Sequence, residues 1–240
     1  MKNIVDTKKV ERGARIAKIA TFAGLGVLVA GMILSLTMNT MSAIWIAFGC
    51  LLVGLIVSSI GTMNMNRWVR EPRADQALAQ GLKGFDNRYR LYSYGLPVAH
   101  VLLSPVGLFV VLALGHDGKI RFDGTRFRRG WSAGRVLRLM ADEGLGRPLG
   151  ELERQIAALR QLLREGGMEE EVDVQGIIVF YNPRVQLDVT DPLLPIIEPK
   201  GLKKAIRKQS DEGLSNRQYK ELQDILDQAA GVAQPAEDDS

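Results

Sequence analysis

The stretch VLLSPVGLFVVLALGHDGKI, Val101 to Ile120, decides how the second half of the chain is expected to fold. Two apolar, β-prone runs are separated by the turn sequence Ser-Pro-Val-Gly, and an Asp-Gly turn follows the second run. This order is typical of a β-hairpin in the core of a sheet. The second run, Leu108 to Leu114, has no charged side chain. It therefore raises the question of whether the hairpin can hold any catalytic group.

The segments on either side of this hairpin predict an α/β domain. Helical spacing is seen from Ala74 to about Gly84, around Val136 to Met140, from Leu149 to Leu163, and near both 201–208 and 216–229. Predicted strands cover 89–94, 98–103, 108–114, 119–122, 172–181, 186–189 and 194–197. A second Asp-Gly pair, Asp123-Gly124, predicts a further hairpin turn. This order favours a central mixed sheet flanked by helices.

Two windows near the N-terminus have a different composition from the rest of the chain. Ile19 to Met38 and Ala43 to Thr62 each contain 20 residues without Asp, Glu, Lys, Arg or His. A helix of that length spans the roughly 30 Å hydrocarbon core of a bilayer. A buried core helix is the alternative, but two consecutive helices that are apolar on every face favour membrane spans. A cleaved signal peptide is disfavoured by the long basic N-terminus and by the immediate second span.

The charges that flank the two windows predict their orientation. Six Lys or Arg residues lie within residues 1–18, and Arg67, Arg70 and Arg73 follow the second window, whereas residues 39–42 between the windows carry none. Basic flanks stay in the cytoplasm, so a two-span cell-membrane protein with both termini cytoplasmic is predicted. Small residues four apart, such as Ala20/Gly24 and Gly26/Ala30, favour an antiparallel hairpin and offer a surface for other membrane proteins.

These features divide the chain into five predicted regions. They are a basic cytoplasmic N-terminus (1–18), a transmembrane helical hairpin (19–62), a cytoplasmic domain (67–208), a C-terminal helix (209–230) and a disordered acidic tail (231–240). Cys50, the single cysteine, lies within the second window. A disulfide framework or a Cys/His metal site is therefore not expected.

Several segments together resemble one known family. They are the helix ending near Gly84, the run LYSYGLPVAHVLLSPVGLFVV, the turn Asp117-Gly118-Lys119-Ile120, a helix containing Leu149, Glu153, Gln155, Ala158 and Leu159, and the strand GIIVFYNP. Over about residues 70 to 205 the chain resembles the nuclease-related (NERD) domain. The resemblance implies a restriction-endonuclease-like fold that hydrolyses nucleic acid with a divalent metal held by carboxylates.

The chain departs from the family at the positions that would hold the metal. Family members have Asp before the His of the first hairpin strand and Glu-x-Lys on the second, whereas this chain has Ala99 before His100 and Leu112-Ala113-Leu114. Asp75 stands where the family has Glu, and Gln155 is retained on the later helix. One carboxylate cannot hold a hydrated Mg²⁺ and also position water. We therefore expect a degenerate nuclease-like site with no catalysis, no metal and no cofactor.

A rearranged active site is the alternative. Asp117 and Lys119 have the acid-x-Lys spacing a few residues late, and with Asp75 and Gln155 they complete the weak catalytic candidates; Mg²⁺ would be required only in this case. Asp-Gly at a strand junction is more typical of a turn. Asp75 and Gln155 are also interpretable as a helix-start charge and a surface residue, and His100 and His116 as hydrogen-bonded packing residues.

A basic segment predicts the partner. From Lys119 to Arg138 there are seven Lys or Arg residues and one acid, Asp123, with Phe122, Phe127 and Trp131 interleaved. Such a segment suits the phosphates of anionic lipid or of nucleic acid, and a domain tethered to a membrane lies nearest to lipid. A solvated hairpin with its aromatic side chains facing the core is the alternative. The predicted phosphate-binding residues are Lys119, Arg121, Arg126, Arg128, Arg129 and Arg135.

The sequence therefore predicts a membrane-anchored, cytoplasmic NERD-like domain that binds or scaffolds phosphate-rich partners without catalysis. One alternative is a metal-dependent, membrane-tethered nuclease with a rearranged active site. Another is an accessory subunit of a membrane complex, in which the two spans would contact the other subunits.

Overall fold

A computed structural model describes residues 1–37, 40–130, 145–168, 170, 172–208 and 213–232. The chain forms two compact units. The first, called here the α/β domain, contains Met1–Asp6, Ala74–Gly130 and Leu145–Ser240. The second contains Thr7–Arg73, and its two long helices are called here the helical hairpin. The predicted helix at 136–140 and the acidic residues of the predicted tail lie outside the described residues, as do Arg135 and Arg138.

The helical hairpin consists of α1 (Thr7–Thr37) and α2 (Met41–Trp68). Both helices are long and apolar enough to span a membrane, which confirms that the two apolar windows are helical. Only 11% and 17% of their most apolar windows are buried, whereas a core helix of a soluble protein is mostly buried. Helix α1 begins at Thr7, so it includes most of the predicted basic flank as well as the apolar window.

Glycines line the contact between α1 and α2. A Cβ added to Gly24 would lie 2.5 Å from the Ser58 backbone nitrogen, and one added to Gly31 would lie 2.8 Å from the Cys50 Cβ. On α2, a Cβ at Gly61 would lie 2.6 Å from the Thr21 nitrogen. Because no real Cβ fits at such distances, glycine allows the two backbones to approach closely. Gly26 and Gly49, in contrast, face open space.

The α/β domain contains nine strands and four α-helices among the described residues. The strands are β1 (Lys2–Val5), β2 (Arg90–Ser93), β3 (His100–Ser104), β4 (Gly107–Leu114), β5 (Gly118–Phe122), β6 (Phe127–Arg129), β7 (Val174–Phe180), β8 (Val185–Val189) and β9 (Ile196–Ile197). The helices are α3 (Ala74–Gly81), α4 (Pro148–Glu165), α5 (Leu202–Lys208) and α6 (Asn216–Ala229), and a 3-10 turn at Pro199–Gly201 precedes α5.

Six strands form a mixed sheet in the order β1-β2-β3-β4-β7-β9. The hairpin predicted from Val101 onward is β3–β4, whose register pairs Val101 with Val110 and Leu103 with Leu108. Strand β2 is antiparallel to β3, whereas β1, β7 and β9 pair in parallel with their neighbours. The predicted α/β class with a mixed sheet flanked by helices is confirmed.

Side chains alternate between the two faces of this sheet, and each face packs against its own helices. On one face, Leu112 and Phe180 belong to a cluster completed by Leu159 of α4 and Leu222 of α6. This face is called here the α4 face. On the other, Leu102, Phe109 and Val111 pack with Leu78 of α3 and Leu202 of α5. This is called the α3 face. The core therefore has two layers, one on each side of the sheet.

Local sequence explains the ends of α4 and α6. Pro148 begins α4, where the absent N–H of proline costs no hydrogen bond. Ser215 caps α6 in a reciprocal capping box with Gln218, whose backbone N–H donates to the Ser215 hydroxyl at 3.2 Å. Helix α4 crosses β7 at Gly176, where a Cβ would lie 2.6 Å from a Leu152 methyl carbon. Glycine thus sets the closest approach of α4 to the sheet.

Two features differ from the single central sheet that the sequence predicts. Strands β5, β6 and β8 form a separate three-stranded sheet in the order β6-β5-β8, which packs Ile120 and Phe122 into the α4-face cluster. Strand β1, within the region predicted only as a basic flank, pairs in parallel with β2. The Lys2 N–H donates to the Tyr89 carbonyl at 2.9 Å, and the Asp6 N–H donates to the Ser93 carbonyl at 3.0 Å.

Candidate functional sites in the α/β domain

The positions at which the resemblance to the NERD family predicts metal-binding acids are apolar in this fold. Leu112 lies in β4, belongs to the α4-face cluster and is 7% exposed. Leu114, two residues further along the same strand, packs against the same cluster. Ala99 lies just before β3, where its carbonyl accepts the Tyr94 N–H at 2.8 Å. Within the described parts of the chain, no group of three or more His, Cys, Asp or Glu side chains is placed to hold a metal.

Asp75 is buried at the start of α3, and it faces a small polar cluster. The Tyr94 hydroxyl lies 3.5 Å from an Asp75 carboxylate oxygen, and the Tyr94 ring packs edge-on against His100 at 4.9 Å. His100 Nδ1 is 3.1 Å from the Ser93 hydroxyl. His100 is two residues from Leu102 in β3, so its side chain points to the same face of the sheet, the α3 face. Asp75 and Leu112 therefore lie on opposite faces of the sheet.

Gln155, the other residue retained from the family pattern, lies on α4. Its side-chain amide donates to Glu151 at 3.0 Å, and its amide oxygen is buried without a partner among the described residues. Because α3 and α4 cover opposite faces of the sheet, Asp75 and Gln155 do not face a common cleft. The structure does not bring the weak catalytic candidates together.

Asp117 has a structural role at the base of the β5–β6 hairpin. Arg129 donates from Nη2 to the Asp117 carboxylate at 2.7 Å and from Nε to the Asp117 carbonyl at 3.1 Å. The Arg129 side chain is only 10% exposed. Lys119, in contrast, is exposed on β5. The Asp117 carboxylate is therefore committed to an arginine, as expected for a turn residue.

The basic segment forms the outer face of the three-stranded sheet. Along β5, Lys119 and Arg121 are exposed, whereas Ile120 and Phe122 are buried. Arg121 pairs across the sheet with Arg128 of β6 and with Asp188 of β8. We call Lys119, Arg121, Arg126 and Arg128, all exposed, the basic face.

Acidic neighbours neutralise part of this basic face. Arg121 forms an ion pair with Asp188 at 2.9 Å, and Arg128 lies 3.4 Å from Asp123. Within the described chain, Lys119 and Arg126 have no carboxylate partner. The rings of Phe122 and Phe127 pack against each other in a tilted arrangement on the core side, with their centroids 4.6 Å apart. The predicted basic hairpin is present with Phe122 and Phe127 directed inward, and Trp131 lies outside the described residues.

A buried ion pair, which the sequence did not suggest, joins β2 to α6. Arg90 Nη2 donates to Asp227 Oδ1 at 3.1 Å and lies 2.9 Å from Oδ2, and the Tyr92 hydroxyl donates to Asp227 Oδ1 at 2.8 Å. Burial raises the pKa of Tyr92, and the bond to Asp227 raises it further. Among the described residues the Arg90 Nε has no acceptor. The three side chains fix α6 to the sheet.

Comparison with protein-family models, curated proteins and solved structures finds no match to this chain. Functional inference therefore rests on its own residues.

Little in the sequence could have revealed the two buried polar groups. Arg90 and Asp227 are separated by 137 positions, and each resembles an ordinary surface charge. A weak signal exists for Asp227, which lies beside Leu226 and five residues after Leu222 on a helix whose apolar stripe is otherwise regular. The polar group around Asp75 depends on Tyr94, whose positive φ of 66° turns its side chain away from strand alternation.

Proposed function

We propose that this chain is a membrane-anchored protein whose α/β domain binds phosphate-rich partners by charge and does not hydrolyse them. The observation that carries the proposal is the arrangement of the β5–β6 hairpin, with Phe122 and Phe127 directed inward and the basic face directed outward. Binding through phosphates needs only cations, whereas single-stranded nucleic acids are bound by stacking bases on exposed aromatic rings.

The absence of catalysis is supported by the residues at the expected metal site. Leu112 is buried in the α4-face cluster, and burying such a side chain stabilises a fold by about 1.5–3 kcal/mol. The order α3-β2-β3-β4-α4-β7, with β7 parallel to β4, is the order expected of a restriction-endonuclease-like, NERD-like domain. On this proposal the domain keeps that architecture and has replaced the metal ligands with hydrocarbon.

A cytoplasmic location for the domain is supported by two observations. Basic residues flank both apolar helices, and such flanks remain in the cytoplasm. Strand β1 precedes α1 in the chain and pairs with β2, which follows α2. If both helices cross the membrane, the segments before and after them lie on the same side, as this pairing requires.

The binding test uses the full chain in discs of phosphatidylcholine. Vesicles containing phosphatidylglycerol are added at increasing salt concentration, and a labelled DNA duplex is titrated in parallel. Affinity for the vesicles should fall steeply with salt. Replacing Lys119, Arg126 and Arg128 with alanine should weaken binding roughly a hundredfold, at about 1 kcal/mol per basic residue. Binding that is unaffected by salt and by the triple variant would contradict the proposal.

The matched control is the triple variant Arg160→Ala, Arg164→Ala and Lys204→Ala. These three exposed side chains lie on α4 and α5, so the control removes the same net charge away from the basic face. The control should bind vesicles like the original chain.

The same sample tests the nuclease alternative. We expect no cleavage of single- or double-stranded DNA or RNA with Mg²⁺ or Mn²⁺. Cleavage that Asp117→Ala abolishes would replace this proposal with a rearranged metal site.

A further inference from the structure

One apolar side chain of the α/β domain is left in solvent. Leu193 is 97% exposed, and outside α1 and α2 it is the only large apolar side chain that is exposed among the described residues. It lies in the loop between β8 and β9, flanked by Pro192 and Pro195, which restrict the backbone. Asp191, with a φ of 45°, turns the chain into this loop. The Leu193 side chain is thus held outward on a short, stiff loop.

The fold places Leu193 beside the basic face. Strands β5 and β8 are parallel, so both end at the same edge of the three-stranded sheet. At that edge the Thr190 N–H donates to the Phe122 carbonyl at 3.0 Å. A Cβ added to Gly124 would lie 3.7 Å from the Asp191 carbonyl oxygen. The β5–β6 turn and the loop carrying Leu193 therefore start from hydrogen-bonded strand ends and lie next to each other.

The neighbouring β5–β6 turn is held together by hydrogen bonds to Asp123. The Asp123 carboxylate accepts the backbone N–H of Arg126 at 2.9 Å and that of Thr125 at 3.2 Å, as well as the Thr125 hydroxyl at 3.0 Å. These backbone donors lower the pKa of Asp123. Arg126, exposed and with no carboxylate partner in the described chain, follows directly. A cation and an apolar side chain are thus presented at one edge of the sheet.

We propose that this edge docks on an anionic lipid surface, with Leu193 entering the boundary between headgroups and acyl chains while Arg126 and the rest of the basic face bind lipid phosphates. The inference rests on the proposed function and names its partner. Interfacial anchors combine apolar side chains with Lys or Arg in this way. The backbone of a nucleic acid duplex provides phosphates but no apolar partner for Leu193. Two spanning helices would also keep the domain within reach of lipid at all times.

The test places a fluorophore that responds to polarity on Leu193→Cys in a Cys50→Ala background of the full chain. The protein is held in phosphatidylcholine discs, and the added phosphatidylglycerol vesicles carry a nitroxide quencher on the acyl chains. The label at position 193 should shift to the blue and be quenched when vesicles bind. A label on Gln161→Cys, an exposed position on α4, should do neither.

Two unlabelled variants complete the test. Leu193→Ser should weaken vesicle binding roughly tenfold and leave binding of a DNA duplex unchanged, because only lipid buries the side chain. Asp191→Asn, which removes a carboxylate from the same edge, should tighten vesicle binding.

The outcomes separate this inference from the proposed function. If vesicles bind with the salt dependence described above while the label at position 193 stays in water, binding by charge stands and insertion is wrong. If Leu193→Ser weakens duplex binding as much as vesicle binding, the edge is a nucleic-acid surface and the lipid inference is overturned. If the original chain binds the duplex but no vesicles, the lipid inference alone is overturned, and if it binds neither, both proposals fail.

Discussion

The ion pair between Arg90 and Asp227 shows how strongly surroundings change the value of a charge pair. Its two side chains are 6% and 9% exposed, whereas those of Arg121 and Asp188 are 58% and 44% exposed, although the two N–O distances are both 2.9 Å. Water screens the exposed pair and lowers its contribution to about 0–1 kcal/mol. Removing one partner of the buried pair leaves the other charge uncompensated in the core.

The first prediction compares these pairs directly. Asp227→Asn should lower the free energy of unfolding by about 3–5 kcal/mol, because Arg90 would remain buried without a counter-charge. Asp188→Asn, the matched control, should change it by less than about 1 kcal/mol. Pulse proteolysis of the full chain in detergent over a urea series measures both values. Equal effects of the two substitutions would show that burial does not govern these pairs.

Tyr92 predicts a loss of stability at alkaline pH. Its pKa in the folded state is raised above the ordinary value of 10.0, so the unfolded chain releases the phenol proton first. The contribution of this group is complete below pH 10.0 and is lost as the pH rises toward the folded pKa. Tyr92→Phe should lower the free energy of unfolding by about 2 kcal/mol at neutral pH, because the hydrogen bond to Asp227 is lost. It should also make the decline in stability above pH 10.0 less steep.

The measurement is the urea midpoint of the original chain and of Tyr92→Phe from neutral pH to pH 11. Tyr219→Phe is the companion variant, because burial also raises the pKa of Tyr219 and its loss should flatten the decline in part. Parallel declines in all three proteins would assign the alkaline effect to other groups.

At the scale of elements, the helical hairpin depends on which glycines face the partner helix. Gly24→Leu should separate α1 from α2, because even a Cβ would lie 2.5 Å from the Ser58 nitrogen. Gly26→Leu should be tolerated, since no atom lies within 4 Å of an added Cβ. Thermal unfolding in detergent, followed by proteolysis, should show a lower midpoint for Gly24→Leu alone. An equally lowered midpoint for Gly26→Leu would contradict this and would show that the surface around Gly26 also makes a stabilising contact.

Strand β1 yields a prediction based on hydrogen-bond direction. In a parallel pair, alternate backbone N–H groups of one strand point to the neighbouring strand. The N–H groups of Lys2 and Asp6 donate to Tyr89 and Ser93, so the Ile4 N–H also points toward β2. The Asn3 N–H points away from β2. Ile4→Pro should therefore detach β1, whereas Asn3→Pro should leave it paired. Ile4→Ala separates the loss of side-chain packing from the loss of the hydrogen bond. Amide hydrogen exchange at β2 should increase clearly only in Ile4→Pro.

The elements that could be predicted from the sequence are those whose characteristic residues lie close together in the chain. The run from Leu108 to Leu114 was predicted as a strand because β-prone residues and turn residues lie within a few positions of one another, and β4 covers Gly107–Leu114. The stripe from Leu149 to Leu163 likewise lies within α4. Strand β1 was missed because Lys2–Val5 is short and its partner lies 88 positions away.

The candidate sites could likewise be predicted only where their signal is local. The alternation of Ile120 and Phe122 with Lys119 and Arg121 is a local pattern, and it predicted a basic outer face with aromatic side chains inside as one of two interpretations. The partners Asp188 and Asp117 could not be assigned, because strand pairing and turn geometry determine them. Leu193 gave no signal, since a leucine between prolines is equally compatible with a buried loop.

At the scale of the whole molecule, the chain order predicts one topology. Because β1 and β2 pair, residues before α1 and after α2 should lie on one side of the membrane, and the turn between the helices on the other. In a Cys50→Ala background, Lys8→Cys and Lys204→Cys should react with an impermeant thiol reagent from the cytoplasmic side, and Ser42→Cys from the opposite side. Labelling of both positions 8 and 204 from outside intact cells would contradict the cytoplasmic orientation, and labelling of only one of them from outside would contradict the hairpin topology.

The pairing of β1 with β2 also has a consequence for biosynthesis. The ribosome makes β1 first and β2 88 residues later, which at about 5–20 residues per second is a delay of several seconds. During that interval both helices of the hairpin leave the exit tunnel, and the first strand waits without a partner. A nascent chain in which only one of the two helices has crossed the bilayer holds its first strand on the opposite side from β2. Completion of the sheet thus reports correct insertion, and a chain inserted wrongly keeps an open β2 edge that quality-control proteases can recognise.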